Sequence, residues 1–226
     1  MTNQEFSNEF DILYNNIASN QAPGLDEYEK SVFLTMAQEA LVLEICSGKN
    51  ASGDSFEKTE EVRQYLSDIV KTAQLSTVED SSIIKISEAS TLYELPNDLW
   101  FTTYESVKFN TSTGNYIPSS DIEVVPVTQD EFSRINKNPF RKSNIGRVLR
   151  LNVSGKVELV SDFDIASYNI RYISKLSPII LEDLPFDLSI KGESIQTECK
   201  LNPAVHKVIL GRAVQLAKSS MGLAGA

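Results

Sequence analysis

Apolar residues in the first third of the chain recur every three to four positions, the spacing of helices that bury one face. In residues 3–18 the recurring apolar residues are Phe6, Phe10, Leu13, Tyr14 and Ile17. A longer helix is predicted from Asp26 to Ile45, with an inward stripe of Tyr28, Val32, Met36, Ala40 and Leu43. A third is predicted from about Phe56 to Leu75, with Val62, Leu66, Ile69 and Ala73 inward. Three successive helices predict an α-helical bundle.

After residue 80 the pattern changes to short runs rich in β-branched and aromatic residues, which indicate strands. The predicted strands are 82–87, 91–95, 100–109, 122–127, 147–153, 156–160 and 168–176. Ser154-Gly155 suits a hairpin turn. A final helix is predicted from Pro203 to Met221, with Asn202 as its N-cap. This order predicts an α+β fold with an N-terminal helical bundle, a central β-rich region with a short inserted helix, and a C-terminal helix.

Charge divides the chain in the same way as the hydrophobic pattern. Residues 1–80 hold 15 acidic and 5 basic side chains, so the whole net charge of −10 lies there, and the remainder is balanced. We therefore expect an acidic α-helical region (1–80), a β-rich region (81–200), and a C-terminal helix and tail (201–226) that pack back on the helical region.

The segment from Pro126 to Phe140 predicts the inserted helix. Thr128 and Glu131 have the spacing of a capping box, Phe132 and Ile135 would face the sheet, and Pro139 should end the helix at Lys137. The stretch 134–156 then carries seven bases and no acid. The candidate interface residues of this stretch are Arg134, Lys137, Phe140, Arg141, Lys142, Arg147 and Arg150.

Separated acidic and basic surfaces suit head-to-tail contacts between copies of one chain. The alternative is that both are solvated faces, or that they meet within one subunit. We expect nucleic-acid contact to be incidental at most, because the chain is acidic overall and Phe140 is the aromatic residue nearest to the basic run.

Residues that carry chemistry are sparse. The single histidine, His206, excludes a multi-histidine metal site and falls in the first helical turn, where a packing role is expected. Cys46 and Cys199 are distant in sequence, a pattern typical of a reducing compartment. The sequence lacks the glycine-rich phosphate-binding motifs. Asp162 and Asp164 could hold Mg²⁺, which leaves a metal-dependent nuclease as an alternative. We expect no enzymatic activity, catalytic residue, metal or cofactor. No run of 18 apolar residues occurs, so we expect no membrane-spanning helix.

Four blocks of sequence resemble structural proteins of crAss-like bacteriophages. They are EFSNEFDILYNNIASNQAPGLDEYEKSVFLTMAQEALVLEI (5–45), VVPVTQDEFSRINKNPFRK (124–142), YNIRYISKLSPIILEDL (168–184) and LNPAVHKVILGRAVQLAKS (201–219). The resemblance departs at Ile173–Pro178, where relatives tend to carry a second basic and proline-rich phrase.

The resemblance implies a non-enzymatic ring or adaptor subunit of the phage head-to-tail connection. It implies a homo-oligomeric ring, twelvefold to match a portal, that contacts the portal protein and/or other tail ring proteins. The subunit would lie in the virion, at the tail or head–tail junction, after assembly in the host cytoplasm. An internal or ejected virion protein is a further alternative.

Overall fold

The structure, a computed structural model, describes residues 1–15, 24–47, 60–110 and 121–220. The described helices are α1 (Asn3–Asn15), α2 (Glu27–Ser47), α3 (Glu60–Tyr65), α4 (Gln129–Asn136) and α5 (His206–Ser220). The described strands are β1 (Val70–Leu75), β2 (Ser90–Glu94), β3 (Leu99–Phe109), β4 (Ile122–Pro126), β5 (Arg147–Val153), β6 (Lys156–Val160) and β7 (Ile165–Ser174). These elements confirm the α+β class.

The chain divides into two compact units. One combines Met1–Ile69 with Leu176–Ala226, and the other is Val70–Lys175. The division into three regions that we expected from the sequence (1–80, 81–200 and 201–226) stays a prediction.

In the first unit the C-terminal helix α5 packs against both α1 and α2. The helices bury apolar side chains completely, among them Phe6, Phe10, Leu34, Ile209 and Ala213. The third long helix of the bundle therefore comes from the end of the chain.

The helix predicted from Phe56 to Leu75 is wrong over its second half. Residues 56–59 lie outside the described residues, α3 ends at Tyr65, and residues 70–75 form β1. The sequence VKTAQL fits either class, because Val70 and Ala73 have helical spacing while Ala73 and Leu75 have strand spacing. Backbone pairing with β7, in which Leu75 lies opposite Tyr168, decides for the strand.

The second unit is built around a curled seven-stranded sheet with strand order β1-β7-β3-β4-β5-β6-β2. Directly after β1 the chain reaches the other edge, where the Val78 N–H donates to the Leu92 carbonyl at 2.9 Å and Thr77 pairs with Tyr93. The edge strand β2 thereby gains a partner on its outer side, which protects it from pairing with other chains. The enclosed core includes Val107, Val148, Leu159 and Tyr168, all fully buried.

The strand predicted at 82–87 is also wrong. This segment forms turns, and Ile84 is 94% exposed. Asp80 accepts hydrogen bonds from the Ser82 N–H and hydroxyl, and the Ile86 N–H donates to the Glu158 carboxylate at 2.8 Å. Side chains thus satisfy backbone groups that a strand would pair with a neighbour.

Helix α4 lies in the connection between the parallel strands β4 and β5. Parallel neighbours need such a crossover connection. Phe132 is buried against Leu149, Leu151 and Val160, with Ile135 beside it. The predicted role of this helix, packing on the sheet, is confirmed.

The two ends of α4 differ in how well the sequence predicts them. Thr128 is the N-cap residue, but its side chain makes no cap hydrogen bond, so the predicted capping box is wrong. The Thr128 hydroxyl instead bonds to Asp130 and lowers the pKa of that carboxyl. The predicted end is confirmed, with Lys137 as C-cap.

Two turn predictions are confirmed. Ser154 and Gly155 join β5 to β6 with φ values of 48° and 78°, the left-handed conformation that a two-residue hairpin requires. Asn202 accepts a hydrogen bond from the Ala204 N–H at 3.0 Å, and Pro203 opens a short 3-10 turn before α5.

Candidate assembly interface

The residues that follow α4 form a compact, exposed projection, the basic arm (residues 137–147). The Asn138 carbonyl accepts hydrogen bonds from the N–H groups of Arg141 and Lys142 at 3.0 and 2.9 Å, and its side chain accepts from the Phe140 N–H at 3.0 Å. A second turn follows, in which Asn144 and Arg147 exchange backbone hydrogen bonds. Local hydrogen bonds therefore hold the arm in one shape.

The arm presents an aromatic ring beside positive charges. Phe140 is 87% exposed, and Lys137, Arg141 and Lys142 are exposed as well. Arg147 is half-buried and donates to the Phe140 carbonyl at 3.4 Å. Just before the arm, Arg134 forms an exposed ion pair with Glu131 at 3.0 Å. Six of the seven candidate residues thus lie on or next to the arm.

Arg150, the seventh candidate, has a different role. Its guanidinium donates to both carboxylate oxygens of Glu105, at 2.9 and 2.8 Å, and the Tyr168 hydroxyl bonds to the same carboxylate. The side chains of Arg150 and Glu105 are only 16% and 10% exposed. Burial, followed by the charge of Glu105, raises the pKa of Tyr168. The structure therefore places Arg150 in an internal ion pair, away from the exposed arm.

Lys156, the last base of the basic stretch, is also paired internally. It binds Asp80, and this hydrogen bond together with those from Ser82 lowers the pKa of Asp80 to about 2. Within residues 134–156, the exposed positive charge is therefore concentrated in the arm.

Helix α2 buries a different face from the one predicted. Of the predicted inward stripe, Met36 is 49% and Leu43 is 46% exposed. The buried face instead includes Leu34, Leu41 and Ile45. It also includes the polar residues Ser31, Thr35 and Gln38. The prediction of the inward face of α2 is wrong.

The buried polar residues of α2 bind an extended segment, residues 177–181. Thr35 exchanges hydrogen bonds with the backbone of Ile179, and the Leu181 N–H donates to Ser31 at 3.0 Å. Gln38 donates to the Ser177 carbonyl at 3.0 Å. Buried backbone groups require such partners, so this helix face must be polar. The partner lies about 140 residues away in sequence, and no local pattern indicates it.

The contacts and burial of His206 and the two cysteines are those of residues with a structural role. The His206 Nε2 bonds to the Leu201 carbonyl at 2.8 Å, its Nδ1 contacts the Met1 ammonium at 2.8 Å, and burial lowers its pKa. Both cysteines are free thiols and half-buried. Burial raises the pKa of Cys46 to about 11 and also raises the pKa of Cys199. Thiols with raised pKa values react slowly near neutral pH.

Asp162 and Asp164 line a polar cavity of about 450 Å³ together with Glu88, Ser90 and Asn110. Among the residues that the structure describes, no group of three or more His, Cys, Asp or Glu side chains could hold a metal ion. The nuclease alternative gains no support from this geometry. Within the same described ranges, none of the helices combines the length and apolar character needed to cross a membrane.

Comparison with known proteins decides the class. All of residues 1–226 match the family described as "Phage tail ring protein 3/4". This chain belongs to that phage tail ring protein family. It is 48% identical over 219 residues to "Ring protein 3" of Bacteroides phage crAss001, which covers 96% of this chain and 95% of that relative. It is 36% identical over 230 residues to "Ring protein 4/5" of the same phage, covering 97% and 93%.

Membership of the ring protein family confirms the resemblance to crAss-like phage proteins. The protein is a virion structural protein of the phage tail ring type, and the basic arm and the faces of α2 are surfaces of a ring subunit.

Proposed function

We propose that this chain forms a closed homo-oligomeric ring, twelvefold to match a portal, in the head-to-tail connection of a crAss-like phage. The ring joins the portal protein and/or other tail ring proteins, after assembly in the host cytoplasm. The observation that carries the proposal is the match to a tail ring family along the whole chain. The role is geometric, with no catalytic step and no cofactor.

Within that ring the acidic helical region and the β-rich region make different contacts. The acidic helical region (1–80), with the C-terminal helix and tail (201–226), packs subunit to subunit, and the β-rich region (81–200) presents loops to neighbouring rings. Within the β-rich region, the basic arm faces an acidic surface of a neighbouring subunit or of the adjoining ring. A contact between different surfaces of identical subunits is heterologous, and it closes when its rotation divides a full turn. Opposite charges on the two surfaces give that contact a direction.

The basic arm has the properties of an interface anchor. Aromatic residues and arginine are enriched among the interface residues that contribute most of the binding free energy, and the arm contains Phe140 beside Arg141. Because local hydrogen bonds already fix its shape, little conformational entropy is lost when it binds. The arm meets protein, and any contact with nucleic acid is incidental.

Charge reversal of the arm tests this assignment. Replacing Arg141, Lys142 and Arg147 together by Glu should abolish rings seen by negative-stain electron microscopy while circular dichroism and thermal unfolding stay unchanged. Because Arg147 is half-buried, a second variant changes Arg141 and Lys142 alone. Reversal of the exposed Lys175 and Lys200 is a matched control for the second variant and should leave rings intact. Normal rings from both arm variants, or equal loss in the control, would overturn the role of the arm.

A further inference from the structure

We infer that the exposed stripe of α2 receives the basic arm of a second copy of this chain, with Phe140 inserted against Met36. The α2 stripe is defined by the residues Tyr28, Val32, Met36, Ala40 and Leu43. This inference rests on the proposed ring function and names the pair of surfaces that would form the contact between subunits.

The α2 stripe consists of apolar residues that share one side of a 21-residue helix whose other side is buried. Tyr28, Val32 and Ala40 are half-buried, and Met36 and Leu43 are exposed to water over about half of their surface. Burying one such side chain fully lowers the free energy by about 1.5–3 kcal/mol, so covering this face with a partner is favourable. An apolar face left open on a folded helix marks an interaction surface.

The charge around the stripe favours a basic partner. Residues 1–47 hold eight carboxylates and one lysine, a net charge of −7. Lys30 is bound by Asp11 and Glu27 at 2.8 and 2.9 Å, and two α2 carboxylates, Glu39 and Glu44, are paired with Lys191 and Arg212. The unit formed by residues 1–69 and 176–226 holds 18 acidic and 9 basic side chains, so it is acidic even with these pairs. Two α2 stripes brought together would therefore place like charges side by side, which disfavours a symmetric contact of the stripe with itself. The basic arm, with no acid between Arg134 and Lys156, has the complementary charge.

The shape of the arm also suits the stripe. Phe140 is 87% exposed at a turn held by hydrogen bonds, so its aromatic ring is open to a partner. The α2 stripe has the small Ala40 among larger residues, and the flexible Met36 can adapt its thioether to an aromatic ring. A knob and its receiving surface on different parts of one chain generate the heterologous contact that a ring needs.

Disulfide trapping between two single variants tests the pair directly. Met36→Cys protein mixed with Phe140→Cys protein under mild oxidation should give covalent dimers on a non-reducing gel, and neither variant should give them alone. Phe140→Cys mixed with Val208→Cys is a matched control, because Val208 is also a half-exposed apolar residue on a helix. Dimers of Met36→Cys with itself would show a symmetric contact and contradict the inference.

Complementation by two charged variants gives an independent test. Met36→Glu and Phe140→Glu should each abolish rings, weakening the contact by about 30-fold or more, as expected for a central aromatic anchor. Each keeps the surface that the other has lost, so an equal mixture should form heterodimers that grow no further. Rings from both variants, or wild-type rings without trapped dimers, would overturn this inference and leave the ring function standing. A wild-type protein that stays monomeric both alone and with the portal protein would overturn both.

Discussion

Arg150 shows how strongly the neighbours of a residue determine its role. In sequence it is one of seven bases in a stretch without acids, and in space it faces Glu105 and Tyr168 inside the curled sheet. Removing one member of a buried ion pair leaves the other charge unpaired, which costs more than the pair itself contributes.

We expect Arg150→Met to lower the free energy of unfolding by about 3 kcal/mol, because Glu105 would stay buried without its cation. The double variant Glu105→Gln, Arg150→Met should recover part of this loss. Arg134→Met removes an exposed pair and should cost less than about 1 kcal/mol. Urea unfolding of all three checks the order, and equal losses for Arg150→Met and Arg134→Met would contradict the internal role of Arg150.

The pair of Asp80 and Lys156 predicts a defined pH dependence. The pKa of Asp80 is lowered from about 3.8 to about 2 by the hydrogen bond from Lys156 and those from Ser82. Folding is therefore favoured by the ionised carboxylate above pH 3.8, and this advantage is lost as the pH falls towards 2. At pH 7 the wild type should unfold at a higher urea concentration than Asp80→Asn, and the difference should shrink between pH 3.8 and 2. A difference independent of pH would argue against the pair.

At the scale of elements, α2 depends on a partner that is distant in sequence. Its apolar pattern predicted the wrong buried face, because the segment 177–181 draws Ser31, Thr35 and Gln38 inward. The helix thereby buries three polar side chains among apolar ones and leaves Met36 and Leu43 about half exposed.

Thr35→Val tests this polar face with almost no change in shape. The backbone N–H and carbonyl of Ile179 would lose their shared partner inside the protein, at a cost of about 1–3 kcal/mol. Hydrogen exchange of residues 177–181 should accelerate with the loss of stability. Thr72→Val, at an exposed position of β1, should change stability by less than about 0.5 kcal/mol. Unchanged exchange in Thr35→Val would show that α2 does not hold this segment.

The sequence predicted best the elements that are determined locally. The hairpin at Ser154-Gly155 and the end of α4 follow from the conformational preferences of one or two residues. Strand β1 and the buried face of α2 depend on β7 and on residues 177–181, so local patterns gave the wrong result. The basic arm could be recognised in the sequence because its residues are consecutive, and its role as an interface stays a prediction. The exposure of the α2 stripe could be recognised only in the structure.

At the scale of the whole molecule, the function that we propose for this ring protein is to join copies of itself and neighbouring rings. Its family membership is established along the entire chain, and its surface includes a basic arm held by local hydrogen bonds and a partly exposed apolar stripe. These two features lie on different parts of the chain. The arm is basic and the region around the stripe is acidic, as a directional contact between identical subunits requires.

The mass of the assembled species distinguishes a ring subunit from a monomer or an open polymer. Native mass spectrometry of the purified chain, alone and with the portal protein of its phage, should give one closed oligomer of this 25.1 kDa subunit. Twelve copies correspond to about 300 kDa. A protein that stays monomeric in both conditions, or an open series of oligomers without a preferred size, would contradict a ring subunit.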